Sequence, residues 1–314
     1  MNFSVNIFII ELMKVKNKFI AAAVQAAPVF LNKDKTIKKV ISLMNQAAKK
    51  KADLVVFPEA FIPTYPFWPK DLGFGPEKKI TMDLHMELHK NSVKVPGPDT
   101  KKMGQAAKKA RINVIIGVNE KEGGTLYNTI LYFSKNGELI GRHRKLMSID
   151  SERCIWGNGT SEDIKVFDTE LGKVSGLFCY EHHLTLAKYA LYNQGEQIHA
   201  SLWGGHGFVK NTMDFACKQY AFEGQSYVII SAMHITKDMI PDSFPLKEQT
   251  LWDYPGGSGI INPRGQYIAG PVFDKEEILY AEIDHDQIIR AKTVIDCSGH
   301  FSRPDIFKFE IKDS

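Results

Sequence analysis

The chain has little from which to build a disulfide or metal framework. Its four cysteines, Cys154, Cys179, Cys217 and Cys297, lie far apart in 314 residues and form no C-x-x-C pair. A reducing, cytoplasmic setting is the simpler inference. Basic blocks with interleaved aromatics are absent and the formal net charge is only +4, so no nucleic acid partner is expected. The apolar stretch from Phe3 to Met13 has no basic residue before it beyond the chain start, is interrupted by Glu11 and is too short to span a bilayer. It is read as neither a signal peptide nor a membrane segment, and residues 1–18 are taken as an N-terminal extension, with Met13 an alternative start to Met1. No Ser-rich linker or low-complexity run divides the remainder, so residues 19–310 are expected to form a single domain. With 44% hydrophobic and 24% charged residues, a large core is within reach.

What is present is organised around Cys179. Residues 173–178 read as a short buried strand, whereas Leu184, Ala187, Ala190 and Leu191 recur at helical spacing, which sets the thiol at a strand-to-helix turn. Free amides at a helix start favour negative charge, so the thiolate is expected to form below the ordinary cysteine range. A nucleophile also needs a base and an anion stabiliser from elsewhere in the chain. Asp53 to Val56 is a β-branched run that Pro58 terminates, leaving Glu59 just beyond a strand. Gly141 to Leu146 closes a strand that follows the Asn136-Gly137 turn, leaving Lys145 in a similar position. A carboxylate and an ammonium meeting one thiol would supply a proton acceptor and a cation. His182 or His183 acting as the base of a Cys-His pair is the competing arrangement.

Around these points the pattern alternates. Phe19 to Gln25 is expected as a first strand, followed by an amphipathic helix through Ile37, Val40, Ile41, Met44 and Ala48. Helices are expected at 77–91, at 99–110 with Asp99 as N-cap, at 184–194 and at 210–224. Strands are expected at 112–118, 126–133, 138–143, 197–203 and 226–232, and around 258–271 about the Asn262-Pro263-Arg264-Gly265 turn. Residues 61–76 form a Pro- and Gly-rich aromatic loop beside Glu59, read either as an apolar substrate wall or as loop packing. Helix–strand units mixed with hairpins imply sheets with both parallel and antiparallel pairs.

Phe57-Pro58-Glu59-Ala60, His143-Arg144-Lys145-Leu146, Glu152-Arg153 with Trp156-Gly157, and Cys179-Tyr180-Glu181-His182 occur in the order and approximate spacing of the nitrilase branch of the carbon-nitrogen hydrolase superfamily. The chain resembles that branch from about Phe19 to about Glu310. The resemblance implies a four-layer αββα sandwich with mixed sheets, and a homodimer or larger homo-oligomer. The short tail after Pro304 argues against extended filaments. It further implies Cys179 as nucleophile, Glu59 as general base, Lys145 as stabiliser of the tetrahedral species and Glu152 as a second glutamate positioning Glu59 or water. The substrate would be an organic nitrile with water, hydrolysed through a thioimidate and a thioester, with no metal or organic cofactor required. Tyr65, Trp156, Tyr180, His182 and Trp203 are the expected substrate-binding residues, and the rings of Tyr65, Trp68, Trp156 and Trp203 suggest an apolar substituent.

This chain departs from the common pattern at Tyr180, at Leu184-Thr185 and at Ser148-Ile149-Asp150-Ser151, changes that bear on the pocket wall. A cyanide-degrading enzyme or an amidase of the same superfamily, and a non-catalytic binding or assembly member, are the other readings. Cys179→Ala should abolish turnover, and Glu59→Gln or Lys145→Ala should each lower the rate at least ~100-fold without unfolding the protein. His182→Ala and His183→Ala should be far milder, and steady-state rates with thermal melts of all five variants decide between the two arrangements.

Overall fold

The computed structural model describes residues 15–71, 78–248 and 253–312. Met1 and Met13, with most of the N-terminal extension, and Gly73, Phe74 and Gly75 of the aromatic loop lie outside the described residues. The first half of the chain supplies β1 (Lys18–Gln25), α1 (Lys33–Lys49), β2 (Leu54–Val56), α2 (Lys78–Lys90), β3 (Val93–Lys94), α3 (Pro98–Ala110), β4 (Asn113–Glu122), β5 (Thr125–Phe133), β6 (Leu139–Arg144) and β7 (Trp156–Gly157). The second half supplies β8 (Phe167–Thr169), β9 (Gly172–Phe178), α4 (Thr185–Asn193), β10 (Ile198–Trp203), α5 (Lys210–Gly224), β11 (Tyr227–Ala232), β12 (His234–Ile235), β13 (Tyr254–Ile261), β14 (Tyr267–Phe273), β15 (Glu277–Asp284) and α6 (His285–Lys292).

Two sheets result. One runs β15-β1-β2-β4-β5-β6, with β3 and β7 attached to β4 and β5; the other runs β12-β13-β11-β10-β9-β8, with β14 on β13. Each has a parallel centre and antiparallel flanks: β1, β2 and β4 are parallel, as are β9, β10 and β11, whereas β15, β5 and β6 join the first sheet antiparallel and β8 and β13 join the second that way.

Period-2 alternation sorts the strand residues into three cores. On β1, Phe19, Ala21 and Ala23 enter a core between the sheets, where they meet Leu54, Ile115, Ile198, Ala200, Tyr227 and Ile229. The intervening Ala22 and Val24 face outward with Ile37, Val40 and Met44 of α1 and Met103 and Ala107 of α3. On the other side, Val228 and Ile230 of β11 pack with Leu191 of α4 and with Met213, Ala216 and Tyr220 of α5. The layers are helix, sheet, sheet, helix, the αββα sandwich that was expected. Polar side chains also tie the two sheets: Gln25 of β1 accepts from the Gly257 and Ser258 amides at 2.8 and 2.9 Å, and the Ser231 hydroxyl of β11 donates to the Val24 carbonyl at 2.6 Å. No helix among the described residues is long and apolar enough to cross a membrane.

The expected elements form within a few residues of their expected bounds, with two corrections. The N-cap of α3 is Gly97, not Asp99; Pro98 takes the first helical position, and Asp99, already inside the first turn, pairs with Lys33 at 2.9 Å. The sequence reading also passed over β15 and α6. β15 is an edge strand, half-buried along most of its length, so neither clean alternation nor a continuous apolar run marks it.

One close approach in this scaffold bears directly on Glu59. The Phe57 amide donates to the Ile115 carbonyl at 2.8 Å and the Gly117 amide to the Pro58 carbonyl at 3.2 Å, so β4 carries the segment that follows β2. A Cβ at Gly117 would lie 2.5 Å from the Pro58 oxygen, 2.6 Å from the Ala60 nitrogen and 2.8 Å from the Glu59 Cα, all backbone atoms that cannot swing aside. Gly117→Ala should therefore destabilise the fold by about 1–3 kcal/mol and displace Glu59. Urea titration of the variant measures the first effect, and unchanged stability would contradict this packing.

Candidate active site

Four side chains from four element ends meet under the rim of the sandwich. Glu59 follows Pro58 beyond β2, Lys145 is the first residue after β6, Glu152 lies in a 3₁₀ turn at Asp150–Cys154, and Cys179 opens a 3₁₀ turn at Cys179–His183 between β9 and α4. Three of these segments hold a residue in the left-handed region: Ala60 at φ 46°, Asp150 at 44° and Cys179 itself at 38°. Non-glycine residues there cost about 1–3 kcal/mol each, and such strain clusters at sites whose side chains must point one way.

Lys145 is the hub. Its ammonium is fully buried and donates to Glu59 Oε1 at 2.9 Å and to both Glu152 oxygens at 2.9 Å. The Asn128 amide donates to the same Glu59 oxygen at 2.8 Å, whereas Glu59 Oε2, also buried, has no hydrogen-bond partner among the described residues. Asn128 Oδ1 is the other buried acceptor here without a partner among the described residues, so Glu59 Oε2 is the free carboxylate oxygen of the cluster. Glu152 takes the Tyr65 hydroxyl at 2.5 Å and the Ile149 amide at 3.0 Å. It does not pair with Arg153, whose guanidinium donates to the Ser148 carbonyl at 3.1 Å instead.

Two carboxylates around one ammonium leave an excess of negative charge in a buried space, and the ionisations adjust accordingly. Burial pushes the Glu59 carboxyl up to about 7 against the pull of Lys145, and Glu152 adds to the rise. Burial opposes the Lys145 charge as well, but Glu59 and Glu152 outweigh it and hold the ammonium above the ordinary lysine value. For Cys179 the sequence expectation is overturned: burial, then Glu59, pushes the thiol well above the ordinary cysteine value, and Lys145 and the Tyr180 amide only partly oppose them. A single 3₁₀ turn offers too little dipole to reverse desolvation. The resting sulfur is a thiol, so it needs a base.

Glu181 and Asn128 were not singled out by the sequence reading. Glu181 accepts from the Leu146 amide at 2.6 Å and the Phe178 amide at 2.8 Å, joining the residue after Lys145 to the residue before Cys179 across the two sheets. His143 supports it from 3.0 Å, and although burial opposes its charge, Glu181 raises its pKa. The signal for Glu181 was a carboxylate two positions after Cys179; Asn128 carries none, because it becomes relevant only through the β4–β5 pairing.

A cavity of about 80 Å³ opens onto the cluster, lined by Glu59, Tyr65, Phe67, Glu152, Cys179, Tyr180, His206 and Phe208, among others. Of the expected substrate-binding residues, Tyr65 and Tyr180 are on this wall. Trp156 stands behind it, edge-on to Tyr65 at 5.4 Å and with its indole nitrogen donating to Asn119 at 2.8 Å. His182 and Trp203 are stacked on each other at 5.4 Å behind Cys179, and Trp68 is fully buried against Phe30 and Phe244. These four rings fill core space rather than the cavity wall. Neither histidine serves the sulfur as a base: both His182 nitrogens are taken up elsewhere, and His183 is exposed.

A profile of the carbon-nitrogen hydrolase family matches residues 20–293. The chain is 38% identical over 296 residues to a nitrilase of Bacillus sp. (strain OxB-1), covering 91% of this chain and 86% of that protein. It is 36% identical over 308 residues to an aliphatic nitrilase of Rhodococcus rhodochrous, covering 94% and 83%. Among solved structures, the carbon-nitrogen hydrolase of Helicobacter pylori G27 superposes with a TM-score of 0.74 at 22% identity, covering 93% of this chain and 97% of that one, a likeness of fold.

The charge balance makes a direct prediction. The Glu59 carboxyl should titrate near pH 7, and Glu152→Gln should move that midpoint to lower pH by removing a neighbouring negative charge. Since the folded value lies above the ordinary 4.5, Glu59 favours the folded state most below that value, and this contribution is lost as pH rises through about 7. Carboxyl ¹³C NMR of glutamate-labelled protein reads the midpoint; an unchanged or higher value in Glu152→Gln would refute the coupling.

Proposed function

The chain belongs to the carbon-nitrogen hydrolase family, in its nitrilase branch, and on that premise we propose that it hydrolyses an organic nitrile to the carboxylic acid and ammonia, with Cys179 as nucleophile. The observation that carries this reading is the buried Lys145 ammonium bridging Glu59 and Glu152 beside the thiol, with one Glu59 oxygen left unpartnered.

In the proposed cycle Glu59 takes the thiol proton as the sulfur bonds to the nitrile carbon, and the proton passes to nitrogen to give a thioimidate. Glu59 then deprotonates water as it adds, and the tetrahedral adduct forms beside Lys145, whose charge stabilises it. Proton transfer to nitrogen expels ammonia and leaves a thioester. A second water, activated the same way, releases the acid and restores the thiol. A base with a pKa near 7 suits both proton acceptance and return at neutral pH. Glu152 and the Tyr65 hydroxyl hold Lys145 in place. Every step uses residues of this chain and water, so the cycle needs no metal or organic cofactor.

A cavity of about 80 Å³ with Phe67, Phe208 and Tyr180 on its wall supports a compact, largely apolar substituent next to the nitrile. We place the enzyme in the cytoplasm, a setting that its four free thiols support, and as a homodimer or larger homo-oligomer. Mass spectrometry of products from a panel of aliphatic, aryl and arylacetic nitriles, cyanide and matching amides tests the reaction. Acid and ammonia should dominate, with amide a minor product. Mostly amide, or turnover of amides or cyanide with every organic nitrile untouched, would replace this reading with an amidase or cyanide-degrading one.

A further inference from the structure

Behind the nucleophile, in the layer between the second sheet and α5, three titratable side chains that the reaction does not touch form a buried chain. Glu196 Oε1 lies 2.8 Å from His199 Nδ1, His199 Nε2 lies 3.0 Å from His182 Nε2, and His182 Nδ1 lies 2.7 Å from the carbonyl oxygen of Cys179. All three residues are almost completely inaccessible. The Tyr220 hydroxyl donates to the other Glu196 oxygen at 2.5 Å, and the Ser201 hydroxyl stands 2.9 Å from His182 Nε2.

Counting protons fixes the direction of this chain. The carbonyl can only accept, so His182 carries a proton on Nδ1. Two ring nitrogens at 3.0 Å need one proton between them, and so does the contact of His199 with Glu196. The three hydrogen bonds therefore hold one proton more than an ionised carboxylate and two neutral rings would, and the chain is neutral overall. The Cys179 carbonyl it ends on belongs to a residue at φ 38°, and it shares one rigid peptide plane with the Tyr180 amide. Fixing the carbonyl on one side of that plane fixes the direction of the Tyr180 N–H on the other.

We propose that Glu196, acting through His199, keeps His182 in its Nδ1-protonated tautomer, and that this tautomer orients the Cys179–Tyr180 peptide plane beneath the thiol. The three are positioning residues, and the inference rests on Cys179 being the nucleophile. His182→Phe keeps the ring volume and removes the donor; kcat should fall about tenfold with KM little changed, the effect of losing one hydrogen bond that orients the peptide beside the sulfur. Glu196→Ala should lose about as much, whereas Glu196→Gln should recover most of the rate, to within about threefold of wild type, because an amide N–H can donate to His199 while its oxygen still accepts from Tyr220. Histidine ¹⁵N NMR of the intact wild-type protein reads the tautomer without any variant. Nδ1–H on His182 is the expected result, and an Nε2–H tautomer with bare Nδ1 would overturn the proposal even if the variants fail to fold. So would a folded His182→Phe with full kcat, or folded Glu196→Gln and Glu196→Ala proteins equal in rate. Turnover by Cys179→Ala would instead remove the nucleophile assignment, and so separates the two failures.

Discussion

An ammonium buried between two carboxylates is the interaction on which the site depends. Taking one charge into the interior costs several kcal/mol, and only close, well-directed partners offset it. Lys145 has three such contacts, all at 2.9 Å, but they come from two carboxylates and overcompensate the single positive charge. Burial disfavours the Glu59 carboxylate most and the charge of Glu152 adds to it, so that against the pull of Lys145 the carboxyl stands at about 7. The same burial keeps Cys179 protonated at rest. In the proposed cycle the proton that the sulfur loses passes to Glu59, and Lys145 stays charged.

The scaffold buries Glu59 and Lys145 completely and leaves the cluster open only toward the cavity that Glu59, Glu152 and Cys179 line. Glu59 and Lys145 belong to the first sheet and Cys179 to the second, so the site exists only when the inter-sheet core has formed. Glu181 records this in one side chain, with one oxygen accepting from the segment after Lys145 and the other from the segment before Cys179. Left-handed residues at Ala60, Asp150 and Cys179 are affordable in such a place because packing on both sides over-determines the backbone. The chain of Glu196, His199 and His182 reaches the Cys179 carbonyl from behind the second sheet, and Glu181 accepts from the amide of the preceding Phe178, so the backbone on both sides of Cys179 is held.

Much of this was legible in the residue order. Strand and helix positions follow from periodicity, and Glu59, Lys145 and Cys179 could be marked because each sits at the end of a strand pattern, whereas Glu152 was marked by the resemblance to one branch of one family. Local signals suffice for that, since element ends and nucleophile turns are made by neighbours in the chain. Aromatic residues were a poorer guide. A tryptophan reads the same on a cavity wall and in a core, and only packing sent Tyr65 to the wall and Trp68, Trp156 and Trp203 behind it.

By itself, then, the sequence determined where most strands and helices lie, because alternation and chain breaks are properties of short segments, and its resemblance to one family pointed to the layered sandwich and to the groups that the proposed cycle uses. Tertiary structure decided the protonation of those groups and the partners that hold them. The thiol's ionisation was misjudged from its turn alone because desolvation and the charge of Glu59 both arrive from distant parts of the chain. Asn128 reaches Glu59, Glu181 reaches Leu146 and His199 reaches His182 only through strand pairing and sheet stacking, contacts between residues well separated in the chain that no local pattern encodes.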